Sequence, residues 1–163
     1  MGGRKLAIVI VSSALACTAI VAVPARAGQT VNCTDEFKDF TIDPGVGREG
    51  SSGVVDSHGQ TGTLDCGGKK GTIGFQGGYG TRDPDTCTEG GEGTAVFTWV
   101  LDGKEDSAYV TYQYGPLKGG VVGVTLKGQR LNGEGQVTPT EGDCATTPIT
   151  KGKALGNITL VVK

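Results

Sequence analysis

The feature of this sequence that most constrains its fold is an apolar residue at every second position. The pattern runs through residues 94–101, pauses at a turn that begins at Asp102-Gly103 and runs through 104–106, and resumes over 108–114. Successive side chains of a β-strand point to opposite faces, so the pattern predicts two antiparallel strands joined as a hairpin. One face of the hairpin carries Ala95, Phe97, Trp99, Leu101, Ala108, Val110, Tyr112 and Tyr114.

Similar patterns predict further strands on both sides of this hairpin. A second hairpin is expected over residues 122–127 and 131–137 with a turn at 128–130, and a terminal strand over 155–162. The first half of the chain predicts strands at 31–34, 37–42, 54–66 and 71–79, with a turn at 43–45 and loops at 45–53 and 82–91.

Two glycines interrupt the apolar face of the second hairpin. Gly133 and Gly135 share the face of Leu131 and Val137. Glycine within a strand lets a bulky group approach the backbone closely. We therefore expect an aromatic ring, Trp99 or a tyrosine, to pack against this face.

The fold class follows from these strands and from the lack of helical patterns. After residue 27, no stretch places apolar residues at helical spacing for two turns without a glycine or proline. About eight short strands joined by Gly/Pro turns predict an all-β fold, an antiparallel β-sandwich or barrel. No linker or internal repeat divides residues 28–163, so a single domain is expected.

Residues 1–27 have the layout of a secretory signal peptide. Arg4 and Lys5 precede a long apolar run, and the small residues Ala25 and Ala27 match a cleavage site. We therefore predict that the mature, secreted protein begins after Ala27 and has no membrane segment of its own.

Two alternatives to cleavage remain open. The apolar run approaches the length of a membrane-spanning helix, so the segment is also compatible with a transmembrane anchor. Cys17 offers lipid attachment, although Ala14 stands where a lipoprotein signal usually has leucine.

Four cysteines remain in the mature chain: Cys33, Cys66, Cys87 and Cys144. An even number of cysteines in an exported protein indicates disulfide bonds. Three pairings are possible, and we favour Cys33–Cys66 with Cys87–Cys144, since each bridge then ties strands within one stretch of chain. A zinc site is the alternative use, but no two cysteines have Cys-x-x-Cys spacing.

The spacing of Cys87, Trp99 and Cys144 is similar to that of an immunoglobulin-like core. In those domains the tryptophan packs on the disulfide between two sheets. Gly142 occupies the place of the tyrosine that usually precedes the second cysteine by two residues. A sandwich is therefore compatible with the spacing, whereas true immunoglobulin topology is not expected.

Charge and composition exclude several classes of function. The mature chain has 12 Lys and Arg against 17 Asp and Glu, so its net charge is −5. A chain this acidic is not expected to bind nucleic acid by neutralising phosphates. One histidine cannot form a multi-histidine metal site, and glycine lacks the three-residue period of collagen.

Several of these features together resemble a broad set of uncharacterised secreted proteins from actinobacteria. The resemblance covers most of residues 31–162 and implies a disulfide-bonded β-fold outside the cell, without any named activity. It is carried by Cys33, the Asp43-Pro44-Gly45-Val46 turn, Cys87, Thr94-Ala95-Val96-Phe97-Thr98-Trp99, Asp102-Gly103, the hairpin at 119–137, Cys144 and the strand at 156–160.

The sequence offers two kinds of candidate catalytic groups. Asp56-Ser57-His58 contains the residue types of a hydrolase triad, but a strand would point Ser57 away from the other two, and the chain has no Gly-x-Ser-x-Gly elbow. We interpret it as a polar strand end beside Gly59. A paired-carboxylate site needs acids held in a cleft, and no acid is predicted within an apolar strand where burial would raise its pKa. No catalytic residue is therefore expected.

Two groups of residues are candidates for binding. The acids of the 82–91 loop and its end could hold calcium, although their spacing matches no defined calcium loop. Tyrosines of the 108–114 strand could stack on a sugar or another flat ligand, with Tyr109 on the opposite face from the other two. The calcium candidates are Asp83, Asp85, Glu89 and Glu92, and the stacking candidates are Tyr109, Tyr112 and Tyr114.

The sequence thus predicts a secreted, non-enzymatic β-protein without a cofactor that binds something outside the cell, such as cell-wall glycan. The first alternative is a carrier of a small apolar ligand, similar to acidic two-disulfide β-sandwiches that sequester natural products. The second alternative is a hydrolase or a protease inhibitor, for which the loop at residues 82–87 is the only candidate inhibitory segment.

Overall fold

The computed structural model describes residues 28–80 and 83–163, which form an all-β domain without helix. The predicted all-β antiparallel fold is confirmed, with one strand more than the expected eight. The strands are β1 (Gln29–Val46), β2 (Gly53–Asp56), β3 (Gly62–Cys66), β4 (Lys69–Tyr79), β5 (Gly91–Leu101), β6 (Lys104–Tyr114), β7 (Val122–Gly128), β8 (Leu131–Glu141) and β9 (Ile149–Val162).

The strands form one antiparallel sheet that closes on itself as a barrel. From β3 to β9, each strand pairs with the next one along the chain, and β1 pairs with both β3 and β9. Eight strands therefore form a closed ring, which leaves no free edge in the ring. This sequential order differs from immunoglobulin topology, as the sequence indicated.

The remaining strand, β2, is not one of the eight ring strands. Like β3, it lies between β1 and β4. Residues 54–56 of β2 pair with β1 and residues 53–56 with the end of β4, while β3 pairs with the beginning of β4. The expectation of one continuous strand over 54–66 is therefore wrong. Residues 57–61 loop out because His58 and Gly59 have positive φ angles of 55° and 87°, which a regular strand cannot accommodate.

The expectation for the start of the domain is also wrong, because β1 is a single strand of 18 residues. It includes the two predicted short strands and the predicted turn at 43–45. A bulge between Phe37 and Phe40 shifts the register against β9, so that both phenylalanines point inward. Residues 35 and 36, where the sequence predicted a break, pair with β9 in regular register. The predicted turn at 43–45 coincides with a second register shift, between Thr41 and Val46.

The hairpin between β5 and β6 is tighter than predicted. Leu101 pairs with Lys104, so the turn contains only Asp102 and Gly103. Both residues have positive φ angles, 53° and 73°, as a two-residue turn of this type requires. The alternation predicted from the sequence then continues without interruption, because residues 104–106 belong to β6 rather than to the turn.

One end of the barrel, called here the Trp99 end, is filled with side chains. Trp99 is 1% exposed, and the guanidinium carbon of Arg130 lies 5.6 Å from the centre of its ring. Arg130 forms a bidentate ion pair with Asp106 and donates to the carbonyl of Val161 at 3.1 Å. The side chains buried with Trp99 at this end include Leu64, Leu131 and Leu160.

Both favoured disulfides are confirmed, and they lie at opposite ends of the barrel. Cys33–Cys66 joins neighbouring strands at the Trp99 end, whereas Cys87–Cys144 joins the β4–β5 and β8–β9 loops at the other end. We call the latter the Cys87 end. The tryptophan–disulfide packing of immunoglobulin-like cores is not found here, because Trp99 lies near the far end of β5 from Cys87–Cys144.

Several predictions fall on residues outside the described ranges. These are the signal peptide at 1–27, the lipid-attachment alternative at Cys17 and the position of Arg82 in the candidate inhibitory loop. Among the residues that the structure describes, no helix is both long enough and apolar enough to cross a membrane.

Candidate ligand-binding cavity

The interior of the barrel is hollow toward the Cys87 end. A cavity of about 150 Å³ lies among inward-facing side chains of seven of the eight ring strands. Its walls are apolar, and the side chains that fill the Trp99 end do not line it. Seven aromatic residues line it: Phe37, Phe40, Phe75, Tyr79, Phe97, Tyr112 and Tyr114.

The cavity exists because small residues stand where the β8–β9 wall faces inward. Gly135 pairs with Gly156 across the two strands, and Ala154 lines the wall beside them. The expectation that an aromatic ring packs against Gly133 and Gly135 stays a prediction. The three atoms nearest to a Cβ built on either glycine belong to β9 residues, and none is an aromatic atom.

The phenylalanines on the other wall are fixed by contacts with one another. Phe75 packs edge-on against Phe37 and Phe40, with ring centroids 4.9 and 5.4 Å apart. Phe97 lies 5.3 Å from Phe75 on the neighbouring strand. Edge-to-face pairs of this kind stabilise ring orientation beyond simple burial. The aromatic wall is therefore built before any ligand arrives.

The tyrosines of β6 confirm the predicted division between two faces. Tyr109 is 61% exposed on the outside, whereas Tyr112 and Tyr114 face the cavity with ring centroids 6.4 Å apart. Their hydroxyls are bound within the protein: Tyr112 donates to the carbonyl of Gly78 at 2.9 Å, and Tyr114 donates to Asp85 at 2.8 Å. Burial raises the pKa of both hydroxyls above the usual range.

Tyr79 is a third tyrosine whose hydroxyl is bound within the protein. Its oxygen accepts a hydrogen bond from the backbone amide of Gly45 at 3.2 Å. The tyrosines therefore offer ring surface to the cavity, while their polar atoms are used by the barrel itself. A ligand would meet them chiefly as aromatic walls.

Asp35 is a buried acid among the residues that line the cavity, whereas Glu134 and Gln136, also among them, are exposed. It is 7% exposed and lies on the inward face of β1, between Cys33 and Phe37. Its Oδ1 atom has no hydrogen-bond partner. Burial raises the pKa of the carboxyl to about 6, and a hydrogen bond from its own backbone amide opposes this shift only in part.

The expectation that no acid lies within an apolar strand is therefore wrong. Asp35 falls between the two predicted strands at 31–34 and 37–42, which assigned it to a connection rather than to a face. The signal that identifies it is the alternation of Val31, Cys33, Asp35 and Phe37, which places the carboxylate in an otherwise apolar series.

The four calcium candidates do not share one role. Asp85 is 3% exposed and accepts hydrogen bonds from Tyr114 and from the backbone amide of Gly80 at 3.0 Å. Asp83 and Glu89 are exposed on the same loop. Across the described ranges no group of three or more His, Cys, Asp or Glu side chains is arranged to hold a metal ion. Asp85 instead anchors the β4–β5 loop to the tyrosines of the cavity.

Asp56-Ser57-His58 forms a structural turn between β2 and β3. The Ser57 hydroxyl is buried, lies 2.7 Å from the carbonyl of Gly59 and accepts a hydrogen bond from the Phe75 amide at 2.8 Å. His58 contacts Thr41 rather than Ser57, with 3.1 Å between Nε2 and Oγ1. The arrangement matches the predicted polar strand end, although the chain leaves the strand at Ser57.

Comparisons with protein-family models, with curated proteins and with solved structures found no match to this chain.

Proposed function

We propose that this protein is a non-enzymatic extracellular binding protein that holds a small, largely apolar molecule inside its barrel. The observation that carries the proposal is the preformed apolar cavity of about 150 Å³. Engineered protein cavities of that size with aliphatic and aromatic walls bind benzene. The proposal depends on the closed sheet enclosing space as a barrel, rather than flattening into a tightly packed sandwich.

Features outside the cavity agree with a carrier that works outside the cell. The two disulfides are compatible with an oxidising compartment, and the N-terminal sequence predicts export. The acidic surface keeps a secreted domain soluble without attracting nucleic acid. The Trp99 end is closed by packed side chains, so a ligand would be held toward the Cys87 end.

Wall or glycan binding through the predicted tyrosines has weaker support. Only Tyr109 remains on the outside, paired across the strands with Val96, which is 45% exposed. One ring offers little stacking area for a sugar. If this surface binds cell-wall material, Tyr109→Ala should abolish pelleting with purified walls while ligand binding in the cavity persists.

The carrier proposal can be tested with small probes and one cavity-filling variant. We expect ethylbenzene or xenon to bind the exported protein and to shift NMR signals of residues that line the cavity. Ala154→Leu adds volume to the interior and should weaken binding at least tenfold, while Lys153→Leu places a leucine at the exposed neighbouring position without filling the interior and should not. Absence of binding by the wild-type protein would contradict the proposal.

A further inference from the structure

We propose that Asp35 is the recognition residue of the cavity, and that its ligand is a small aromatic or branched aliphatic molecule carrying a protonated amine. A ligand at Asp35 presupposes the binding cavity proposed above. It adds a chemical class to that function, because one carboxylate in an apolar chamber selects for a cation.

The first step is the unusual state of the carboxylate. Asp35 is more than nine-tenths buried, and its Oδ1 has no hydrogen-bond partner. Buried charges in proteins are normally paired or bound by several donors, because an isolated charge loses its hydration without compensation. Asp35 is one of the residues that line the space among the aromatic rings.

The second step is that the barrel itself supplies no cation. On the neighbouring strands Asp35 pairs with Leu64 and Gly156, neither of which carries a charge. The ionisable side chains next to these positions, Glu36 on β1, Asp65 on β3 and Glu134 on β8, are acidic and alternate to the outside. The nearest lysines on β1 and β9, Lys38 and Lys153, are exposed. The other titratable residues that line the cavity are three tyrosines, whose hydroxyls are bound within the protein, and the exposed Glu134.

The third step is the space beside the carboxylate. A Cβ on Gly156 would lie 2.6 Å from Asp35 Oδ1, so the missing side chain gives the carboxylate its position. The three atoms nearest to a Cβ built on Gly135, which pairs with Gly156, are backbone atoms of Leu155 and Gly156. Asp35, Gly135 and Gly156 all line the cavity, so the head group of a ligand would lie at this wall while the rest of the ligand meets the phenylalanine rings.

These observations favour an amine over other polar groups. An anionic ligand would place a second negative charge beside Asp35 in a region of low polarity. A protonated amine offers a charge-assisted hydrogen bond to Oδ1, and the faces of Tyr112, Tyr114 and the phenylalanines attract a cation as well. The cavity volume limits the body to about one ring.

Protonation makes the inference testable in the unmodified protein. With a pKa of about 6, the Asp35 carboxyl is ionised at neutral pH and becomes neutral as the pH falls through that value. Affinity for an amine that stays protonated should then fall about tenfold or more between pH 7.5 and pH 4.5. Affinity for an uncharged molecule of the same shape should not fall.

The experiment compares three probes of equal size: benzylamine, benzyl alcohol and ethylbenzene. Binding constants are measured by calorimetry or NMR titration on the exported protein, on Asp35→Asn and on the control Glu36→Gln, which changes the exposed acid next in sequence. We expect Asp35→Asn to reduce the preference for benzylamine over ethylbenzene at least tenfold, while Glu36→Gln leaves it within threefold. Ethylbenzene binding should persist in all three proteins.

Each result separates this inference from the carrier function. If ethylbenzene binds but the benzylamine preference is unchanged by Asp35→Asn and by pH, the amine assignment is overturned and the carrier function stands. If benzyl alcohol equals benzylamine in affinity and in its dependence on Asp35, the ligand is a neutral donor and the amine assignment is again overturned. If no probe binds, both proposals fail together.

Discussion

The carboxylate of Asp35 occupies the space that a side chain at Gly156 would need. The two residues pair across β1 and β9, and a Cβ built on Gly156 lies 2.6 Å from Asp35 Oδ1 and 3.1 Å from the carbonyl of Glu134. A buried charge and a missing side chain therefore depend on each other. This pairing lets a carboxylate remain inside a barrel whose other cavity walls are apolar.

The first prediction concerns this pair. Gly156→Ala should push the Asp35 carboxylate aside and lower the free energy of unfolding by about 1–2 kcal/mol, because a methyl group is forced into filled space. In an Asp35→Ala background, Gly156→Ala should lower the free energy of unfolding by less, because the clashing oxygen is absent. A double-mutant cycle from urea unfolding measures the difference, and equal costs in both backgrounds would show that the two residues are not coupled.

The second prediction concerns the charge itself. The pKa of Asp35 is raised from 3.8 to about 6 in the folded state, so ionisation opposes folding. The difference of roughly two pKa units corresponds to about 3 kcal/mol of stability that is present below pH 3.8 and is lost as the pH rises through 6. Asp35→Asn should therefore stabilise the protein at pH 7.5, by about 1–3 kcal/mol because the amide also lacks a partner.

The measurement for Asp35 is a series of unfolding curves from pH 3.5 to pH 8. The stability gain of Asp35→Asn over wild type should grow with pH and vanish below pH 4, while Glu36→Gln shows no such trend from this cause. A variant that is less stable than wild type at pH 7.5 would mean that the carboxylate has a stabilising partner. If Asp35→Asn stabilises the protein, Asp35 fits a residue that is retained for binding rather than for folding.

The sequence predicts the strands of the barrel where apolar and polar residues alternate strictly. The inward faces of β5 and β6 follow directly from residues 94–101 and 108–114, because each strand buries one face. The sequence does not predict closure of the ring, because β1 and β9 pair although more than 100 residues separate them along the chain. The two disulfide pairings were predictable only as the favoured of three alternatives.

The candidate site was hidden by local irregularity. The bulge after Phe37 ends the two-residue period there, so the chain was divided into strands at 31–34 and 37–42, and Asp35 was assigned to the connection between them. The cavity depends on which inward positions across the barrel are small, such as Gly135 opposite Gly156. That relation is set by register between strands, and hydrophobic periodicity within one strand does not report it.

The third prediction concerns the break between β2 and β3. Ser57→Ala removes the acceptor of the buried Phe75 amide and should lower the free energy of unfolding by about 1–3 kcal/mol, because the amide is left without a partner. Ser107→Ala, at an exposed position of β6, serves as the control and should change stability by less than about 0.5 kcal/mol. Chemical denaturation measures both, and equal effects would assign Ser57 no structural role beyond that of a surface serine.

The fourth prediction concerns the ion pair that covers Trp99. Arg130 and Asp106 are 23% and 21% exposed, and their bidentate contact holds the guanidinium over the indole ring. Arg130→Lys keeps the charge but loses the planar bidentate geometry, and we expect a loss of about 1–2 kcal/mol in unfolding free energy. The exposed pair Lys69–Asp102 is the matched control, and Lys69→Ala should cost less than about 0.5 kcal/mol.

The pKa of Asp106 is lowered, chiefly by its hydrogen bond from Arg130, so the wild-type advantage in stability over Arg130→Lys should shrink as the pH falls below the usual range of an aspartate. An advantage that does not change with pH would mean that Arg130 acts through packing on Trp99 rather than through its charge.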